Sequence, residues 1–250
     1  MDSRSSLGRT AGFTLIEVLI AITLVSLIAV TMLVAIRIAL NSEGKTNARM
    51  IENRRMLGAQ RALEQEINNF MPVKAAFVPS EGSPQTVPFF EGQPSSMRFV
   101  SSYSLNQAYR GFPQILEFLV LPSDVSGLRL IVNETPYTGA YSAGARIAGI
   151  GSDPNRPMMP VFFLIEPGPR SFVLADRLAY CRLAYLGIDP QSRLVQWRAD
   201  WTDRHWPLGV QVDMAPLDIN PSRLHPITVT ASIHADPLPE VTYSDLFDKP

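Results

Sequence analysis

Hydrophobic and polar positions divide the chain into three stretches. Residues 18 to 36 carry no charged side chain, and that run meets the length of a membrane-spanning helix. Beyond Arg37 the pattern becomes amphipathic. Ile51, Leu57, Leu63, Ile67 and Phe70 recur at intervals that place them near one helical face, while Arg49, Glu52, Asn53, Arg54, Arg61, Glu64 and Gln65 occupy much of the remaining surface. No proline occurs between Phe13 and Met71, and Pro72 ends the stretch. A continuous helix from Phe13 to Asn69 would be ~85 Å long at 1.5 Å per residue. That is too long for the core of one small domain, so its first half needs lipid or apolar helices and its second half needs a soluble domain. Asn41-Ser42-Glu43-Gly44 is the expected weak point, because glycine costs about 1 kcal/mol relative to alanine inside a helix.

The third stretch reads as strands. Pro79, Pro84, Pro88 and Pro94 predict a loop or sheet edge, since proline cannot donate to a ladder. Strands are then predicted at Met97–Ser102, Ile115–Leu121 and Leu128–Asn133, from their β-branched, aromatic and leucine content. Residues 134 to 160 hold many glycines and prolines and predict a long loop. Val161–Glu166, a turn at Pro167-Gly168-Pro169, Ser171–Ala175, Leu178–Leu186, Leu194–Trp201, Gly209–Met214 and Ile227–His234 follow. Within Leu178–Leu186, alternation puts Leu178, Tyr180, Arg182 and Ala184 on one side and Ala179, Cys181, Leu183 and Tyr185 on the other. One long helix followed by many short antiparallel strands gives an α+β class.

Composition changes this picture little. The chain has 250 residues, a formal net charge of −1 and 46% hydrophobic residues. Near-neutral charge without a basic run or zinc pattern gives no reason to expect a nucleic-acid partner. A single cysteine, Cys181, cannot form an internal disulfide and is expected to be a small buried hydrophobe. Arg4 and Arg9 before the apolar run favour a cytoplasmic N-terminus, with Arg37 opposing that bias. A cleaved secretory signal fits poorly, because the apolar run passes straight into a helical pattern and Ser42-Glu43-Gly44 is no A-x-A site.

One residue does not suit a plain anchor. Glu17 lies just inside the apolar stretch, where an acid carries a desolvation cost and ordinarily has a partner. Around it, Gly12-Phe13-Thr14-Leu15-Ile16-Glu17 follows a short polar, basic leader and precedes the apolar run. This order resembles the processing site of type IV prepilins and type II secretion pseudopilins. The resemblance implies that a prepilin peptidase cuts between Gly12 and Phe13 and that the new amine of Phe13 is N-methylated. It implies that Glu17 attracts the N-terminal amine of a neighbouring subunit during assembly. It also divides the chain into a cleaved leader (1–12), a transmembrane helix (13–37), an amphipathic helix packing on the globular domain (38–71) and a periplasmic β domain (72–250). The implied fold is a pilin-like lollipop, with the long helix packed on an antiparallel sheet. The implied location is the bacterial inner membrane, single-pass, and the pseudopilus after assembly.

A second constellation narrows the resemblance. Leu178 to Leu186 precedes Trp197, Trp201 and Trp206-Pro207, and Leu208-Gly209-Val210-Gln211-Val212 follows. This order resembles the J-type minor pseudopilin, although Leu208-Gly209 stands where Leu-Pro is commoner. The implied partners are other minor and major pseudopilins, the prepilin peptidase and the inner-membrane assembly platform. A minor type IV pilin serving pilus priming, adhesion or DNA uptake is the alternative. The tryptophans are expected to be core residues or, where exposed, interface residues.

Catalytic signals are sparse. His205, His225 and His234 have no metal-ligand spacing. Ala140-Tyr141-Ser142-Ala143-Gly144 lacks the first glycine of a nucleophile elbow. Asp200, Asp203, Asp236, Glu240, Asp245 and Asp248 form no calcium loop. The expectation is therefore a structural subunit, not an enzyme, with no metal and no cofactor. A membrane-anchored periplasmic enzyme is the contrasting class.

Overall fold

A computed structural model describes residues 13–78, 84–105, 109–153, 156–169, 171–189, 192–201, 203, 205–217 and 226–233. The chain divides into two compact units, Met1–Ile51 and Glu52–Pro250. Helix α1, Leu15–Asn68, contributes to both. Its backbone stays helical through Gly44, so the expected weak point does not interrupt it. In the first unit the segment Leu15–Leu40 has a mean hydropathy of 2.8 and none of it is buried.

In the second unit α1 lies against a nine-stranded, wholly antiparallel sheet. Its main path runs β1 (Phe70–Met71), β5 (Ser96–Ser104), β6 (Tyr109–Pro122), β7 (Leu128–Pro136), β10 (Phe172–Ile188), β12 (Gly209–Pro216) and β13 (Ile227–Ser232). Off that path, β4 (Glu91–Gln93) pairs with β5 and β11 (Val195–Arg198) pairs with β10. The observed class is thus α+β, a long helix followed by a large antiparallel sheet.

The helix face that meets the sheet is Met56, Ala59, Leu63, Glu66 and Ile67, all buried. These follow the three-and-four spacing of one helical side. Leu63 and Ile67 match the predicted stripe, whereas Leu57 is 43% exposed. A step of one residue from Met56 turns about 100° away from the sheet. Met56 and Ala59 fill the sheet-facing positions instead. Phe70 opens β1 and packs at the margin of the same core. The side chain of Ile51 lies outside the described residues. Across the interface stand Phe99, Leu116, Phe118, Leu130 and Val132, with Leu183, Tyr185, Val212 and Val229 further along.

A second layer covers the other face of β5, β6 and β7. It contains β2 (Lys74–Phe77) with β3 (Gln85–Pro88), α2 (Ala140–Gly144), and β8 (Ile147–Asp153) with β9 (Arg156–Phe162). Val73, Ala75, Phe89, Val100, Ile115, Ala143 and Ile147 form its core. The predicted loop over 134–160 is therefore wrong in kind: it holds the end of β7, a helix and a hairpin. One of its glycines, Gly144, marks close packing instead. A Cβ on Gly144 would stand 1.8 Å from the Ala76 carbonyl oxygen, so α2 can approach β2 only without a side chain there. The predicted strand Val161–Glu166 stops at Phe162, and residues 163–166 belong to no strand or helix.

Two predicted strands, Ser171–Ala175 and Leu178–Leu186, are one strand, β10, with register shifts at Val173/Ala175, Ala175/Leu178 and Leu178/Tyr180. Arg177 takes a left-handed φ of 54° there. Such an irregularity changes which face a side chain occupies. Consequently Leu178 is buried and Ala179 exposed, the reverse of the alternation expected from Cys181, Leu183 and Tyr185, which do face the core. The remaining strand expectations hold with shifted ends, and the histidine that would close the last lies outside the described residues.

Candidate functional site

The N-terminal site begins where α1 begins. Glycine at 12 and residues 1–11 lie outside the described residues. Phe13 is 82% exposed. Thr14 is the N-cap of α1: its carbonyl accepts from the Glu17 and Val18 amides at 3.1 and 3.3 Å, and its Oγ1 accepts from the Glu17 N–H at 3.4 Å. Thr14-x-x-Glu17 is the pattern of a capping box, in which a hydroxyl meets the amide three residues on. That local signal is legible in the sequence. It gives Glu17 a second physical setting, an acid in the first helical turn, where the dipole favours negative charge.

Phe13, Glu17 and Ala21 succeed one another at four-residue steps, so they share one face of the segment. Together with Val18, Ile22 and Val25 they edge a shallow, largely apolar concavity. Among the described residues Glu17 has no ion-pair partner in the chain. Its surroundings are instead the exposed side chains of Leu15, Ile16, Leu19, Ile20 and others down to Leu40. Each such side chain gains about 1.5–3 kcal/mol on leaving water, so this surface requires lipid or apolar helices around it. The few polar groups on it are satisfied internally: the Thr23 and Thr31 hydroxyls donate to the Ile20 and Ile28 carbonyls at 2.8 and 2.9 Å. Hydrocarbon demands that internal pairing.

The other residues singled out from the sequence do not gather into a site. Ser142 accepts from the Thr138 N–H at 3.0 Å and donates to the Gly139 carbonyl at 2.7 Å, which is the role of a helix-start residue. The His205 carbonyl accepts the Trp201 indole N–H at 2.7 Å, and His225 and His234 lie outside the described residues. Asp203 pairs with Arg198, and Asp200 is exposed; Asp236, Glu240, Asp245 and Asp248 are not described. Cys181 is buried, and burial together with the Asp213 charge pushes its thiol up to about 12, so it has no thiolate chemistry near neutrality. The tryptophans divide. Trp201 is 7% exposed and meets Phe90 edge-on, Trp206 packs against the core, and Trp197 is 40% exposed.

Two sets of charged side chains are buried among the described residues without a signal in the sequence: Arg98 with its partner Glu117, and Glu66. Arg98 is 1% exposed. Its guanidinium reaches Glu91 at 2.7 Å, Glu117 at 2.9 Å and the Phe163 carbonyl at 2.8 Å, and lies 5.1 Å from the Phe162 ring centre. Glu66 is fully buried between α1 and the sheet, and neither of its oxygens has a hydrogen-bond partner of good geometry. Burial pushes its carboxyl up to about 7, eased by nearby Ser101 and reinforced by the charge of Glu134. Both groups serve the fold and lie in the second unit.

No curated protein matches the chain. Residues 7–33 match the family described as the prokaryotic N-terminal methylation motif, which supports a role of the type IV pilin or pseudopilin kind for a chain that opens on this exposed apolar helix.

Proposed function

We propose that the chain is a minor pseudopilin, J-type, of a type II secretion system: a structural subunit at the tip of a short periplasmic fibre that supports export of folded proteins across the outer membrane. The observation that carries this reading is the Gly12-Phe13 step followed by a capped helix whose apolar surface has no cover of its own. In this reading the chain enters the inner membrane with its N-terminus cytoplasmic and its β domain (72–250) periplasmic. Prepilin peptidase removes residues 1–12 and Phe13 is N-methylated. Glu17 then accepts the amine of a neighbouring subunit, offsetting one charge that apolar surroundings penalise with another. Helix 13–37 passes from lipid to neighbouring helices, and 38–71 stays packed on the domain. The chain is a substrate of processing enzymes and a partner of the assembly platform, with no reaction of its own.

The J-type assignment rests on the Trp197, Trp201 and Trp206-Pro207 order before Leu208-Gly209-Val210-Gln211-Val212. The test is isolation of the intact chain from membranes with its bound proteins. Other prepilin-type subunits encoded beside a secretion ATPase and secretin are expected. Partners drawn from a pilus gene set would transfer the assignment to a minor type IV pilin, and an absence of prepilin-type partners would count against both.

A further inference from the structure

A cleft of about 420 Å³ is lined by β6, β7, the residues that close α2 and the segment after β9. That volume suits a small ligand or the end of a chain. Its floor is a closed polar set. Arg98 and Glu117, 1% and 6% exposed, meet each other, and Arg98 also meets Glu91. Asn133 donates to the Glu166 carbonyl at 2.9 Å and accepts from the Ser171 hydroxyl at 2.6 Å. The floor therefore keeps its shape without a ligand.

Three groups lining the cleft have capacity left. The Arg146 Nη2 donates to the Thr135 hydroxyl at 3.0 Å, while its Nε stands 3.8 Å from Glu117, beyond hydrogen-bond range. Its Nη1 has no partner among the described residues. An open guanidinium edge suits a carboxylate. The second Glu117 oxygen has only the Asn133 amide, at 3.5 Å, so it can accept a further N–H. Phe163 and Leu164 are 56% and 87% exposed. Their backbone is tied down: Phe163 donates to the Arg146 carbonyl at 3.0 Å and accepts from Arg98 at 2.8 Å. A fixed backbone thus carries two apolar side chains that still face water, and these gain by being covered.

We propose that this cleft binds the C-terminal residue of a polypeptide that ends in an apolar side chain. Such a residue carries on one Cα a carboxylate for Arg146, an N–H for Glu117 and an apolar group for Phe163 and Leu164. Phosphates and other polyanions fit poorly, because Glu117, Glu134 and Glu166 line the cleft beside its two arginines. A fatty acid supplies the carboxylate and the apolar part but no donor. All the lining residues belong to the second unit, so occupancy is independent of processing at the N-terminus.

Ligand-observed NMR titrations of the full chain in lipid nanodiscs test this, with N-acetyl-leucine as the probe. Saturable binding is expected with a Kd of ~1 mM, the scale for a dozen heavy atoms. N-acetyl-leucinamide, which lacks the carboxylate, and octanoate, which lacks the N–H, are each expected to bind roughly tenfold more weakly. Arg146→Gln is expected to weaken N-acetyl-leucine by roughly tenfold, with an unchanged circular dichroism spectrum. Leu164→Ser alters only an exposed side chain, so it reads the apolar contact even if Arg146→Gln misfolds; a loss of about threefold is expected. No saturable binding would overturn the proposal. So would equal affinity for the acid and its amide, octanoate binding as tightly as N-acetyl-leucine, or parental affinity in a folded Arg146→Gln or in Leu164→Ser.

Discussion

Glu17 and Glu66 are both acids in apolar settings, and their surroundings give them opposite roles. Glu66 is sealed within the folded unit, so its cost appears in stability. Its carboxyl is raised from 4.5 to about 7, which means the folded state holds the proton more tightly than the unfolded state. Stability is then full below about pH 4.5 and falls as pH rises through about 7, by an amount on the order of 3 kcal/mol. Glu66→Gln removes this loss. The detergent-solubilised variant is expected to be more stable than the parent at pH 8 and equal to it near pH 4.5, as read by chemical denaturation followed by circular dichroism. Glu17 by contrast is exposed beside the helix start, so the role proposed for it is read in assembly. If its value were local capping, Glu17→Gln would serve as well as the parent, since either side chain completes a capping box. If its value is pairing with an amine, Glu17→Gln and Glu17→Val both permit cleavage and both lower incorporation into the fibre. The second pattern is expected in quantitative immunoblots of the assembled fraction.

At the scale of elements, Arg98 shows how the second layer is fastened. One guanidinium joins β4, β5 and β6 and holds the first carbonyl after β9. Arg98→Met would leave Glu117 buried with a weakened set of partners, at a cost of about 3–5 kcal/mol. Thermal unfolding is expected at a lower temperature, with proteolysis beginning near Phe163–Gly168. Adding Glu117→Leu is expected to recover part of the loss, because an apolar pair avoids the stranded charge. Long strands and the helix were legible in the sequence because each has a period: β5, β6, β7, β12 and β13 all coincide with predicted runs. The α2 and β8–β9 elements were not, because Gly144, Gly149, Gly151, Pro157 and Pro160 read as breakers when taken locally. What makes Gly144 necessary is Ala76, some seventy positions away. The bulges in β10 escaped for a related reason: nothing in Leu178-Ala179-Tyr180 itself announces that neighbouring strands are out of step. The burial of Arg98 and Glu66 is not legible either, since charged residues are ordinarily outside.

For the whole molecule, the proposed processing site is argued from the sequence alone. It is a linear motif whose chemistry depends on order, and order is what a sequence records. The structure adds the Thr14 cap and the lack of cover on the helix surface, and both agree with an anchor that later becomes a packing surface. The account's central claim is processing at Gly12-Phe13, and mass spectrometry of the chain isolated from cells with an active prepilin peptidase tests it most directly. The account predicts a mature protein that begins at Phe13 and carries one N-terminal methyl group; a chain that retains residues 1–12 in those cells would contradict it.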